Sequence, residues 1–191
     1  MVKIIIGLNY EGNQEITKSI QFLEQHSDNL SLGFELTERY EEHKRNFLGF
    51  PIIGDIADYF SGKGKIFFLE DESLVVEYLA LEIALAVTEG RCERNKIEIL
   101  KDQYSRFQPY HPPEEVYLQH LLFTRYEQAL SFLNSGKDVK KLHEESIMER
   151  RAFMRDKIVE HNPQIVFVSS AHAKKLEEGL TGYVMKDVNF L

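Results

Sequence analysis

The sequence predicts an α/β protein: a mostly parallel central sheet of four to five strands flanked by helices, with a helical insertion before the last strands. Three observations carry this. Val2 to Ile6 is a β-branched run broken only by Lys3 and ended by Gly7, the pattern of a strand covered on both faces. Near the C-terminus a helical stretch stops at Asn162-Pro163 and hands over to the apolar segment Ile165 to Ser169. Between these, strand-like and helix-like periods alternate until about Gly90, the pattern of a parallel sheet with right-handed crossovers.

After the first strand, Asn13 is a plausible N-cap for a helix in which Ile16, Ile20 and Leu23 recur at helical spacing, closed by the turn formers His26 to Asn29. Leu30 to Leu36 alternates as a second strand. Thr37 caps a polar helix to about Arg45, and Pro51 opens another, Ile52 to Phe60, which Gly62-Lys63-Gly64 ends. Lys65 to Leu69 reads as a third strand, followed by an apolar helix capped by Asp71 or Ser73 and running to about Thr88.

From about 90 to 141 the chain reads as helix only, with Pro109, Pro112 and Pro113 as the strong breakers. A helix from about Asp138 to Glu160 leads to the strand at Ile165 to Ser169, then a short helix from Ala173 to Glu178 and a last strand near Tyr183 to Met185. The expectation is one domain spanning residues 1–191.

Bulk properties exclude several classes. The net charge is −8 and the 23 basic residues form no stripe, which argues against nucleic acid as a partner. Cys92 is the single cysteine, so neither an internal disulfide nor a cysteine zinc site is available. The apolar run Leu74 to Val87 carries Glu77 and Glu82 and is shorter than the roughly 20 residues a membrane helix needs. No membrane partner is expected, and the N-terminus reads as a strand rather than an export signal, so a cytoplasmic location is the expectation.

In open parallel sheets ligands bind outside the carboxyl ends of the strands, which directs attention to polar residues there. Glu11 lies in the turn between Gly7 and Gly12, which lacks the lysine and hydroxyl of a phosphate loop. Glu35 sits at the end of the second strand, one turn before Arg39. Arg150 and Arg151 lie on the helix before the late strand, either one a candidate anion clamp, and His172 follows that strand's carboxyl end. For each the bland alternative is a solvated face, a cap or a satisfied structural side chain.

Taken in order, these segments resemble the superfamily that contains erythromycin esterase, the TraB and Tiki proteins and the haem-binding ChaN-like proteins. Glu35-Leu36-Thr37-Glu38-Arg39, Arg150 through Met154 and Ile165 through His172 are similar to three of its four elements. The first element differs: Glu11 stands before Gly12 where esterase-like members have a histidine, and Tyr10 stands where the TraB-style pattern has one. The resemblance implies a hydrolase-like protein with a polar pocket at the carboxyl ends of the strands. Glu35 or Glu11 would then be the general base, His172 a proton shuttle, and Arg150 or Arg151 a stabiliser of developing negative charge. Glu35 and His172 are the candidate ligands for a divalent metal, acting on a small-molecule or peptide ligand. Haem is a family cofactor, but no axial-ligand pattern singles it out here.

The alternative is a non-catalytic binding or interaction module on the same scaffold. The helical insertion carries Tyr104, Phe107, Tyr110, Tyr117, Phe123 and Tyr126, enough aromatic surface either to fill an internal core or to form a homo-oligomer interface.

Overall fold

The structure, a computed structural model, describes residues 3–9, 13–26, 29–38, 51–105 and 113–188. The chain forms two compact units, one made of residues 1–71 with 151–191 and the other of residues 72–150. The first holds the sheet and the second is helical.

Five strands form the sheet: β1 (Lys3–Leu8), β2 (Ser31–Thr37), β3 (Lys65–Glu70), β4 (Ile165–Ser169) and β5 (Tyr183–Asp187), in the spatial order β3-β2-β4-β1-β5. Every pairing is parallel, as the uninterrupted apolar runs predict. Alternation along the strands sorts the side chains into two cores. On one face Ile4, Ile6 and Leu8 of β1, Leu32, Phe34 and Leu36 of β2, and Ile165 and Phe167 of β4 pack together. Helices α1 (Asn13–Glu24) and α2 (Pro51–Phe60) cover this face through Phe22, Leu23, Ile53, Ile56 and Phe60. On the other face Ile5, Val166, Val168 and Leu69 meet Met154, Ile158, Ala173 and Leu176. Burying this set removes enough apolar surface to dominate the unit's stability, at about 25 cal/mol per Å².

The helical unit contains α3 (Glu72–Thr88), α4 (Arg94–Ser105), α5 (Pro113–Asn134) and the start of α6 (Val139–His161). Pro113 occupies the first position of α5, where its missing N–H costs nothing. Ala80, Leu81 and Ala84 of α3, Ile97 of α4, Ala129 of α5 and Val139 of α6 form its core. Tyr126 packs against that core and its ring stacks on Tyr104 with centroids 5.9 Å apart. The helical stretch expected over about 90–141 falls inside residues 72–150. The polar helix expected from Thr37 to Arg45 lies mostly outside the described residues, as do Phe107 and Tyr110.

Within the sheet unit α6 ends as the sequence predicts. Asn162 takes the left-handed conformation at φ 52° and its N–H donates to the carbonyl of Ile158 at 2.8 Å, after which Pro163 prevents further helix. The last helix, α7 (Ser170–Gly179), differs from expectation: it starts directly after β4 rather than at Ala173. Gly7 makes this tight join sterically possible. A Cβ there would lie 3.1 Å from Cβ of Ala173 and 3.3 Å from Cα of Ser170. The absent side chain lets the first turn of α7 rest on β1.

Strand order explains where a ligand would enter. From β1 the chain moves to β2 and then β3, with α1 and α2 on one face; from β4 it moves the opposite way to β5, with α7 on the other face. Strand β4 therefore lies between two strands whose following helices pack on the opposite face, and the crevice at its carboxyl end is a topological switch point.

Candidate metal centre

Three buried side chains converge at that switch point: Glu35, Glu70 and His172 each offer a ligand atom, all within 4.8 Å of one another. Their exposures are 1%, 4% and 6%, so none is a solvated surface group.

Glu35 comes from β2, between Phe34 and Leu36, which face the α1/α2 core, so alternation turns its carboxylate to the opposite face. The backbone N–H of Ser169 donates to its Oε2 at 2.5 Å, tying the end of β2 to the end of β4. This charge-assisted bond fixes the carboxylate and leaves Oε1 directed at His172.

Glu70 is the last residue of β3. Register is Phe34 to Phe68 and then Thr37 to Glu70, so β2 advances three residues where β3 advances two. Such a bulge re-aims side chains at the end of a sheet, and here it accompanies the approach of Glu70 to Glu35.

His172 sits in the first turn of α7, whose N-cap is Ser169. Its Nδ1 approaches Oε1 of Glu35 to 3.1 Å but lacks hydrogen-bond geometry and has no hydrogen-bond partner, although the atom is buried. Burying an unsatisfied ring nitrogen costs about 1–3 kcal/mol. Two ligands held about 2.1 Å from a common ion stand about 3.0–3.4 Å apart, without any hydrogen bond between them. The Glu35–His172 distance of 3.1 Å falls in that range, and the ligand atom of Glu70 lies within 4.8 Å of both. Two carboxylates and an imidazole suit a divalent ion such as Mn²⁺, Co²⁺ or Zn²⁺, so the residues present fit a metal.

Of the residues singled out from sequence, Glu35 and His172 come together at this centre. Glu11 lies outside the described residues. Arg151 reaches the same segment differently: its Nη2 donates to the carbonyl of Ala171 at 3.3 Å, and its Nε is buried without a partner. Arg150 belongs to the helical unit, where it is 2% exposed and its guanidinium lies over the ring of Tyr78, 4.6 Å from the centroid. Glu70 was missed because the third strand was ended at Leu69. Its signal was the one that exposed Glu35, a carboxylate at the carboxyl end of an apolar strand.

Several other histidines among the described residues have structural partners. His161 stacks on Phe67 at 4.6 Å and His26 shares a contact with the carbonyl of Phe22 at 2.7 Å. In the helical unit Glu82 Oε1 accepts from Tyr78 at 2.9 Å and lies 2.7 Å from Nε2 of His143, joining α3 to α6. Among the described residues, no helix is long and apolar enough to cross a membrane. Compared with known proteins, the chain matches no family model, no curated protein and no solved structure.

Proposed function

We propose that the protein is a metal-dependent hydrolase, a divergent member of the superfamily of erythromycin esterase, TraB-Tiki and ChaN-like proteins, with Glu35, Glu70 and His172 as the metal ligands. The observation that carries this reading is the buried, unpartnered Nδ1 of His172, set 3.1 Å from a carboxylate oxygen whose other oxygen is already fixed by the Ser169 N–H. A divalent ion there would supply Lewis acidity toward water and toward a carbonyl or phosphoryl oxygen. Glu35, held by the backbone, positions that ion, while Glu70, on a separate strand, can accept a proton from the attacking water. The imidazole of His172 offers a neutral nitrogen donor and limits the negative charge that the burial must support.

Isothermal titration of the chelated protein with Mn²⁺, Co²⁺ and Zn²⁺ tests this, followed by ester, peptide and phosphoester substrates. Stoichiometric binding lost in His172→Ala and Glu70→Gln, together with turnover that requires the metal, is the expected result. Metal binding without turnover on any of these substrates would favour a ligand-binding module on the same scaffold. Absence of binding by all three ions would remove the metal reading.

A further inference from the structure

Beside the three ligands stands a hydroxyl that they leave unused. Thr37, the last residue of β2, is 9% exposed and follows Glu35 by two positions. Glu35 turns away from the core that Phe34 and Leu36 join, so alternation puts Thr37 on the face of Glu35. Across the strand pair, Thr37 is the register partner of Glu70. Partners in register project to one face from strands about 4.8 Å apart, which sets the hydroxyl beside the Glu70 carboxylate. Position along β2 and register with β3 therefore agree on the same side chain. Among the described residues its hydroxyl forms no hydrogen bond. A valine would fill this space equally well, and the hydroxyl adds one donor that burial makes unfavourable to leave unpaired.

Resting on the metal reading above, we propose that Thr37 is the positioning residue for Glu70: with an ion bound, its hydroxyl donates to the Glu70 oxygen that faces away from the ion. A carboxylate that binds a metal through one oxygen keeps lone pairs on the other, and a donor there fixes the orientation of the ligand. Glu35 already has this arrangement, with Oε2 on the Ser169 N–H and Oε1 toward His172. The two carboxylates are then held by different kinds of donor, Glu35 by backbone and Glu70 by a side chain. Only the second is removable without touching the backbone. Thr37 touches neither ion nor substrate and acts through Glu70. A threonine at a strand end also suits a helix cap, but a cap acts on folding, whereas a positioning residue acts on metal affinity.

The experiment titrates Mn²⁺ into the chelated full chain as wild type, Thr37→Val, Thr37→Ser and Glu70→Gln, and melts each protein in chelator. Thr37→Val keeps the shape and removes the donor, and its Mn²⁺ affinity is expected to fall at least about tenfold. Thr37→Ser keeps the donor and should bind within about threefold of wild type, while the metal-free melts of both stay within a few degrees. Wild-type affinity in Thr37→Val overturns the proposal, as does an equal loss in Thr37→Ser, and so does a lowered melt in Thr37→Val with affinity unchanged, which assigns the hydroxyl to a cap. Mn²⁺ binding that Glu70→Gln abolishes and Thr37→Val leaves intact removes this inference alone. No binding to wild type removes the metal reading and this inference with it. Circular dichroism reports folding, and Thr37→Ala, which also lacks the donor, takes the place of Thr37→Val if that variant is unfolded.

Discussion

Oε1 of Glu35 and Nδ1 of His172 stand 3.1 Å apart and make no hydrogen bond, although both side chains are buried. The two side chains come from separate elements whose ends are tied together: Glu35 accepts the Ser169 N–H, and His172 stands in the first turn of the helix that Ser169 caps. A preorganised pair of this kind lowers the reorganisation that metal binding must supply.

Loss of a ligand should therefore act on binding more than on folding. Glu35→Gln keeps the volume and can still accept the Ser169 N–H, and is expected to lower Mn²⁺ affinity at least about 100-fold with a melting temperature within a few degrees of wild type in chelator. In wild type, metal at about 100 times its Kd should add about 2.7 kcal/mol of stability, which a thermal melt with and without Mn²⁺ reads directly. An unchanged melt in Glu35→Gln and wild type alike would remove the centre.

Ser169→Pro tests the backbone bond itself. Ser169 has φ −59° and ψ 147°, so proline meets the backbone angles, but its Cδ takes the place of the N–H proton and collides with Oε2 of Glu35, so the variant both removes the bond and displaces the carboxylate. Hydrogen bonds to charged groups contribute about 1.5–3 kcal/mol, and destabilisation of at least that order is expected in denaturant melts. Metal affinity should fall as well, because the Glu35 carboxylate loses its tether. A variant as stable as wild type would show that the bond is dispensable.

The sheet was legible because period and composition report burial directly. β1 and β4 are apolar on both faces and could hardly be anything but covered parallel strands. Glu35 and His172 were legible because each is a polar residue at the carboxyl end of such a strand. Glu70 carries the same local signal, a carboxylate just past the apolar run that ends at Leu69, but its convergence with Glu35 accompanies the change of register between Phe34 and Thr37, which no single-strand pattern encodes. The start of α7 at Ser170 was hidden for a related reason: it depends on Gly7, distant in sequence, leaving room for Ala173. Both depend on long-range packing, whereas the placement of Glu35 and His172 at strand ends is local.

Gly7→Ala should expose that dependence. Its Cβ would meet Ala173 at 3.1 Å and Ser170 at 3.3 Å, tighter than ordinary contact, and the neighbours are a buried helix start rather than flexible side-chain ends. Displacing α7 by a few tenths of an ångström is expected to cost about 1–3 kcal/mol, within the range of overpacked cores. Metal affinity should fall with it, because His172 rides on the displaced turn. Relief in the double variant Gly7→Ala/Ala173→Gly, read by thermal melts and Mn²⁺ titration, would identify the contact as the cause.

Tyr183 provides a pH signature for the sheet unit. Its hydroxyl donates to the carbonyl of Pro163 at 2.6 Å, linking the start of β5 to the turn before β4, and burial pushes its pKa up from 10.0 to about 12. The raised value means the folded state favours the neutral phenol over the phenolate. The associated stability is complete below about pH 10 and is lost as the pH rises from 10 toward 12. Tyr183→Phe removes both the bond and the titration. It is expected to be less stable than wild type at pH 8 by about 1 kcal/mol. The gap should narrow through the alkaline range, as wild type loses the tyrosine contribution and the variant does not. Paired melts of the two proteins from pH 8 to 12, with phenolate absorbance followed in parallel, measure it, and a gap that stays constant across that range would show that Tyr183 titrates alike in the folded and unfolded chains.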